Sequence, residues 1–246
     1  MSEEEIFQEA RPDPLEPHAD EVERYVSALR EAAGSRPELA RREAWEQIRL
    51  AGARAGHRRA EALDTLNRLF RLGGAPPPLD GPYRGIFVTP TTFRALDPVL
   101  RAIAAAWMPW VGKRFEATAT RGDNLLLRSA RVPARLFWPG YRLTPLGEGR
   151  FTAFRFRTYL APGKVDPDRE ALKIDYDSDE NPGFLIRDIL DELVEVVPGA
   201  YLGKVLLRHG DRSSPVWRLV GYFALEPPET DREPEPAAVT ATPTPA

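Results

Sequence analysis

Three consecutive prolines, Pro76, Pro77 and Pro78, divide the chain into two parts written in different vocabularies. None of them can donate a backbone hydrogen bond, and together they favour a stiff, extended path, so no helix runs through them. Before them the apolar residues recur at helical spacing. Val22, Tyr25, Val26 and Leu29 follow a capping Asp20 and stop near Gly34. Leu39, Trp45, Ile48, Ala51, Leu63, Leu66, Leu69 and Phe70 follow Pro37 and run to Gly73. The spacing predicts a short amphipathic helix and then either one long helix or two, broken near Gly52 to Gly56.

After the prolines the pattern changes to short β-rich runs punctuated by Gly122, Pro133, Pro139, Gly147 and Gly149. Strands are predicted at 83–89, 114–120, 124–129, 134–138, 151–160, 172–176, 200–208 and 216–225, the last two joined as a hairpin. Two helices are expected among them. One starts at Asp97 and Pro98 and carries Val99, Leu100, Ile103, Trp107 and Trp110. The other is opened by Asn181 and Pro182 and covers 183–193. So many short strands must pair or close their edges, and a barrel does that with few residues. The expected fold is therefore α+β: an antiparallel β-barrel with inserted helices over 79–226, preceded by a helical arm over 19–74 and a proline linker over 75–78. Residues 1–18, acidic and proline-bearing, and 227–246, rich in proline and small residues, are predicted to be disordered tails.

Composition removes several function classes. With no cysteine, disulfides, thiolate catalysis and cysteine-ligated metal sites are excluded together. The formal charge of -3 gives no global attraction to polyanions, so no nucleic-acid partner is expected. The acidic start lacks the basic and apolar regions of a signal peptide, and the longest nearly uncharged apolar stretch, 102–112, is too short to span a bilayer. A cytoplasmic location without a membrane span is the expectation.

The segment Leu79, Asp80, Gly81, Pro82, Tyr83, Arg84, Gly85 resembles the Gly-x-Trp-x-Gly opening of small bacterial lipocalin-like, or calycin, barrels, with Tyr83 where that family carries Trp. Trp110 to Phe115, Gly122 to Leu125, Ile174 to Asp177 and Gly199 to Lys204 look like later segments of such proteins. The resemblance covers roughly 79–225. It implies a calycin-like barrel in which Tyr83 closes the floor, with Arg208 or Arg218 packed across it through a cation–π contact. It also implies a small-molecule ligand.

Candidate site residues come from strand periodicity. In 151–160 a period of two sends Phe154 and Phe156 to one face and Arg155, Arg157 and Tyr159 to the other. Facing into a barrel, the second set would grip a carboxylate or phosphate; facing outward, it is solvated. Trp107 and Trp138, with Met108, Trp110, Phe115 and Phe137, supply bulk that either lines an apolar cavity or fills the core. Asp175, Tyr176 and Asp188 belong to the densest set of titratable groups and are the acid–base candidates. On the expected helix Asp188 shares a face with Asp191 and Glu192. The three histidines, His18, His57 and His209, show no metal-ligand spacing, and only His209 suits an axial haem ligand; no cofactor is assigned.

Three functions follow. The first is an intracellular binding protein holding an apolar or amphipathic small molecule in the barrel. The second is a small-metabolite isomerase, cyclase or hydrolase using the same cavity. The third is an interaction module whose arginine-rich arm docks a protein partner or a second copy of the chain.

Overall fold

In the computed structural model of this protein, residues 19–91, 109–211 and 213–228 are described. Three helices come first: α1 (Ala19–Ala33), α2 (Pro37–Arg54) and α3 (Arg59–Leu72). The long helical pattern is thus broken in two around residues 55–58, with Pro37 in the first turn of α2. Nine strands follow: β1 (Gly81–Pro90), β2 (Trp110–Glu116), β3 (Arg121–Leu127), β4 (Thr144–Gly147), β5 (Arg150–Pro162), β6 (Glu170–Asp175), β7 (Ile189–Val197), β8 (Ala200–His209) and β9 (Val216–Glu226). A fourth helix, α4 (Arg131–Phe137), sits between β3 and β4.

The strands form an antiparallel sheet ordered β3-β2-β1-β9-β8-β7-β6-β5-β4, and pairing of β3 with β5 closes eight of them into a ring. The α+β class and the closed antiparallel barrel expected from the sequence are present, and each ring strand neighbours its successor. This meander is compatible with a calycin-like build. β4 stays outside the ring as a hairpin on β5.

Two apolar layers follow from the two faces of each strand. Eight strands leave an interior too narrow for a helix, so the three helices lie outside. In β8, Tyr201 and Val205 belong to the inner cluster with Phe115, Phe156 and Phe223, whereas Ala200 and Leu202 pack against Trp45, Leu66 and Phe70 of the helices. The helices therefore bury their apolar stripes on the outer face of β7, β8 and β9.

Three expectations at element level are corrected. Residues 134–138 fall in α4 and its cap rather than in a strand. Trp110 opens β2 instead of ending a helix; the rest of that expected helix, Trp107 included, lies outside the described residues, as do most of both expected tails and His18. Residues 183–193 hold one 3-10 turn, Ile186–Asp188, and the start of β7. β7 is buried on both faces, between the barrel interior and the helices, so apolar residues occupy both alternating sets and imitate helical spacing.

Candidate functional site

Inside the barrel a lysine is caged. Lys113 on β2 is 2% exposed, and its Nζ lies 5.1–5.5 Å from the ring centres of Trp110, Phe156, Tyr176 and Phe223. Inward glycines make room for two of these rings. A Cβ on Gly85 would stand 2.4 Å from the Trp110 ring, and one on Gly203 would stand 2.1 Å from that of Phe223. Electron-rich ring faces stabilise an ammonium, but four rings cannot replace its lost hydration.

Hydrogen bonds supply the rest. Nζ of Lys113 donates to Asp191 Oδ2 at 2.9 Å, to Asn124 Oδ1 at 3.0 Å and to the Tyr176 hydroxyl. Tyr176 in turn donates to Asp191 Oδ2 at 3.1 Å, and Trp110 Nε1 donates to Asn124 Oδ1 at 3.0 Å. Asn124 Nδ2 donates to the carbonyl of Phe154 at 3.3 Å. Strands β2, β3 and β7 and the residue after β6 thus each contribute one member, from opposite sides of the lumen.

The electrostatics are set by burial. Desolvation pushes the Lys113 ammonium below its ordinary pKa and the Asp191 carboxyl above its own, with their mutual attraction opposing both shifts. The Tyr176 phenol is raised far above its usual value, first by burial and then by the Asp191 charge. It therefore serves as a donor.

One atom is left over. Asp191 Oδ1 is buried without a hydrogen-bond partner. Beside it is a cavity of about 10 Å³, lined by Phe87, Trp110, Lys113, Asn124, Val205 and Phe223 as well as Asp191, with room for about one water. Anything larger than a water in this cavity must displace a wall ring.

Tyr176 and Trp110, both named from the sequence, reach this cluster. Arg155, Arg157 and Tyr159 lie on the outer face, because the same alternation turns Phe156 inward, while a bulge at Phe154 and Arg155, opposite Asp123, leaves Ala153 and Phe154 both buried. The inward orientation considered for that set is not the one adopted. They front an open groove of about 600 Å³, where Arg155 pairs with Asp123 and Glu180, and Arg157 with Asp175 at 2.9 Å. Asp188 pairs with Arg208 at 2.7 Å outside the lumen, while Asp191, expected on the same helical face, points in. Trp138 is buried at α4, its ring against Phe154 and its Nε1 donating to the Phe184 carbonyl.

The floor contact is also different from the one the resemblance implies. Tyr83 packs edge-on to Phe115 and Tyr201, whereas Arg208 stacks over Trp217 at 5.9 Å and Arg218 is exposed. His209 is exposed at the end of β8, and among the described residues no three acidic or histidine side chains converge on a point.

No family model matches the chain, and no curated protein matches it. Among solved structures, the crystal structure of a protein from Thermomonospora curvata is similar at 16% identity, over 72% of this chain and 97% of that one, with a TM-score of 0.37. At that score the likeness carries no argument. The site is argued from its own atoms.

Asp191 is named from the sequence only as a neighbour of Asp188 on an expected helix, and Lys113 and Asn124 are not singled out, although a signal for Lys113 is present. Of 34 basic Lys and Arg residues only four are Lys: Lys113, Lys164, Lys173 and Lys204. Three of these four are buried. Arginine serves the surface here; lysine, whose charge is more easily given up on burial, serves the interior.

Proposed function

We propose that the barrel binds an apolar or amphipathic small molecule in its lumen, with the polar end held by Lys113, Asn124 and Asp191. The observation that carries this reading is a polar cluster of Lys113, Asn124 and Asp191 gathered from three strands, enclosed by aromatic rings and opening on a small cavity that they line. A few convergent polar groups among apolar and aromatic walls are the usual make-up of a small-molecule site. The chemistry of the head group follows. A carboxylate would lie against the Asp191 carboxylate, whereas a hydroxyl or amide donates to Oδ1 and accepts from Lys113 or Asn124. The ligand is thus an apolar ring or chain ending in an uncharged donor–acceptor group. Trp110 and Phe223 form its apolar wall, and Trp138 belongs to the core behind it.

Fluorescence titration with 2-naphthol, compared with 2-naphthoate of the same ring size, tests this. Saturable binding that favours the naphthol and weakens about tenfold or more in the double variant Lys113→Met with Asp191→Asn supports the reading. Preference for the naphthoate, lost instead in Arg155→Ala with Arg157→Ala, contradicts it and moves binding to the outer groove.

A second reading, acid–base catalysis on a small metabolite, is favoured by one observation: Asp191 is an inward carboxyl with a raised pKa, next to the Tyr176 phenol. Asp175 and Asp188, held in outer ion pairs, take no part in it. Here Asp191→Asn removes turnover of a converted substrate while leaving its binding; equal turnover in that variant would sink the catalytic role.

A further inference from the structure

The chain from Leu125 to Gly147 contains no Asp or Glu, and it carries Arg128, Arg131, Arg135 and Arg142, all exposed. With Arg150, these arginines form no ion pair among the described residues. That sets them apart from Arg121, Arg155, Arg157 and Arg187 of the same barrel, each held by a carboxylate.

The same face exposes apolar side chains. Val132 and Leu136 of α4 are 76% and 74% exposed and stand one helical turn apart, so they point the same way. Arg131 and Arg135 flank them at the same spacing. Leu127, opposite Arg150 across the β3–β5 pairing, and Leu146 of the β4 hairpin are also exposed, and Phe184 joins them through the Trp138 hydrogen bond to its carbonyl. Arg131 lies over the Phe151 ring, which faces Leu126 and Pro145 in the sheet, so helix and hairpin belong to one neighbourhood.

We infer that this face, built from α4, the end of β3 and the β4 hairpin, docks on an anionic phospholipid surface. Exposed aliphatic residues ringed by unpaired arginines on a short helix match the headgroup boundary: apolar side chains enter the acyl region and guanidiniums bind lipid phosphates. The charge is local, because the whole chain is net negative. A nucleic-acid partner would be served by the arginines but not by Val132 and Leu136. Trp138, the largest ring of the segment, is turned into the core, and the exposed Phe184 is a single ring rather than a stacking platform.

Flotation of the full chain with phosphatidylcholine vesicles, with and without phosphatidylglycerol, tests the inference. The expected result is binding to the anionic vesicles only, weakened by salt. It is reduced about tenfold or more both by Val132→Asp with Leu136→Asp and by Arg131→Glu with Arg135→Glu. All four side chains are exposed, so the variants keep the wild-type melting temperature, which is measured alongside. Absence of flotation with anionic vesicles overturns the inference. So does flotation that survives either variant, or binding to RNA or an acidic polypeptide that matches the vesicle binding and ignores the Val132 and Leu136 changes.

Discussion

Lys113 and Asp191 give up hydration on both sides of one contact, and the consequences for stability are asymmetric. Removing one partner strands the other as a buried charge, at a cost of about 3–5 kcal/mol, whereas replacing both by apolar groups of similar size is often neutral or better. Lys113→Met is therefore expected to lower stability strongly, and Lys113→Met with Asp191→Leu to recover most of the loss, as read by urea unfolding. The pH dependence has a definite sign. Without the ammonium, the Asp191 carboxyl moves further above its ordinary value. A carboxyl raised in the folded state contributes stability that is complete below the unfolded pKa and lost as pH rises through the folded one. The single variant should thus lose melting temperature relative to wild type between about pH 5 and about pH 8. A loss that is the same at both ends would show that Asp191 keeps an ordinary pKa. This network was only partly legible in the sequence. Tyr176 stood out by its neighbours, but Asn124 and Asp191 became site residues through pairing between strands far apart in the chain.

At the scale of elements, strands with one wet face were read correctly and elements with unusual surroundings were not. β5 alternates from Phe154 to Arg157, where its outer face meets solvent over Arg155 and Arg157. β7 does not, because Ile189 and Leu193 face the lumen while Val194 faces the helices. Residues 134–138 read as a strand in the sequence because only Ala134 of α4 is buried and its aliphatic side chains point outward, opposite to the rule that apolar residues seek the core. The helices α1 to α3 are fastened to the sheet by more than apolar contact. On β8, Lys204 Nζ donates to Asn67 Oδ1 at 2.6 Å and lies 4.3 Å from the Phe70 ring centre, while Arg71 of α3 pairs with Asp166 at 2.8 Å. Phe70→Ala should cost about 3–5 kcal/mol by chemical denaturation, since Phe70 is fully buried and Lys204 loses the ring. A cost under about 1 kcal/mol would mean that the helices hardly stabilise the barrel.

For the whole molecule, the closed barrel followed from strand count and punctuation, since sheet edges must be satisfied and closure does so with the strands available. What fills the barrel did not follow, because the residue spacing that makes a ring close is the same for a packed lumen and an open one. The structure shows aromatic rings around one ion pair in the lumen, with a water-sized space lined by Lys113, Asn124 and Asp191. The account rests on that place being a binding site. Four lysines make it directly observable, since protein carrying ¹³Cε-labelled lysine gives one methylene signal for each of Lys113, Lys164, Lys173 and Lys204. Titration with 2-naphthol should shift the Lys113 signal, identified by its loss in Lys113→Met with Asp191→Asn, and leave that of the exposed Lys164 in place. A Lys113 signal unmoved at saturating naphthol would contradict the account and leave the caged lysine as a structural pair alone.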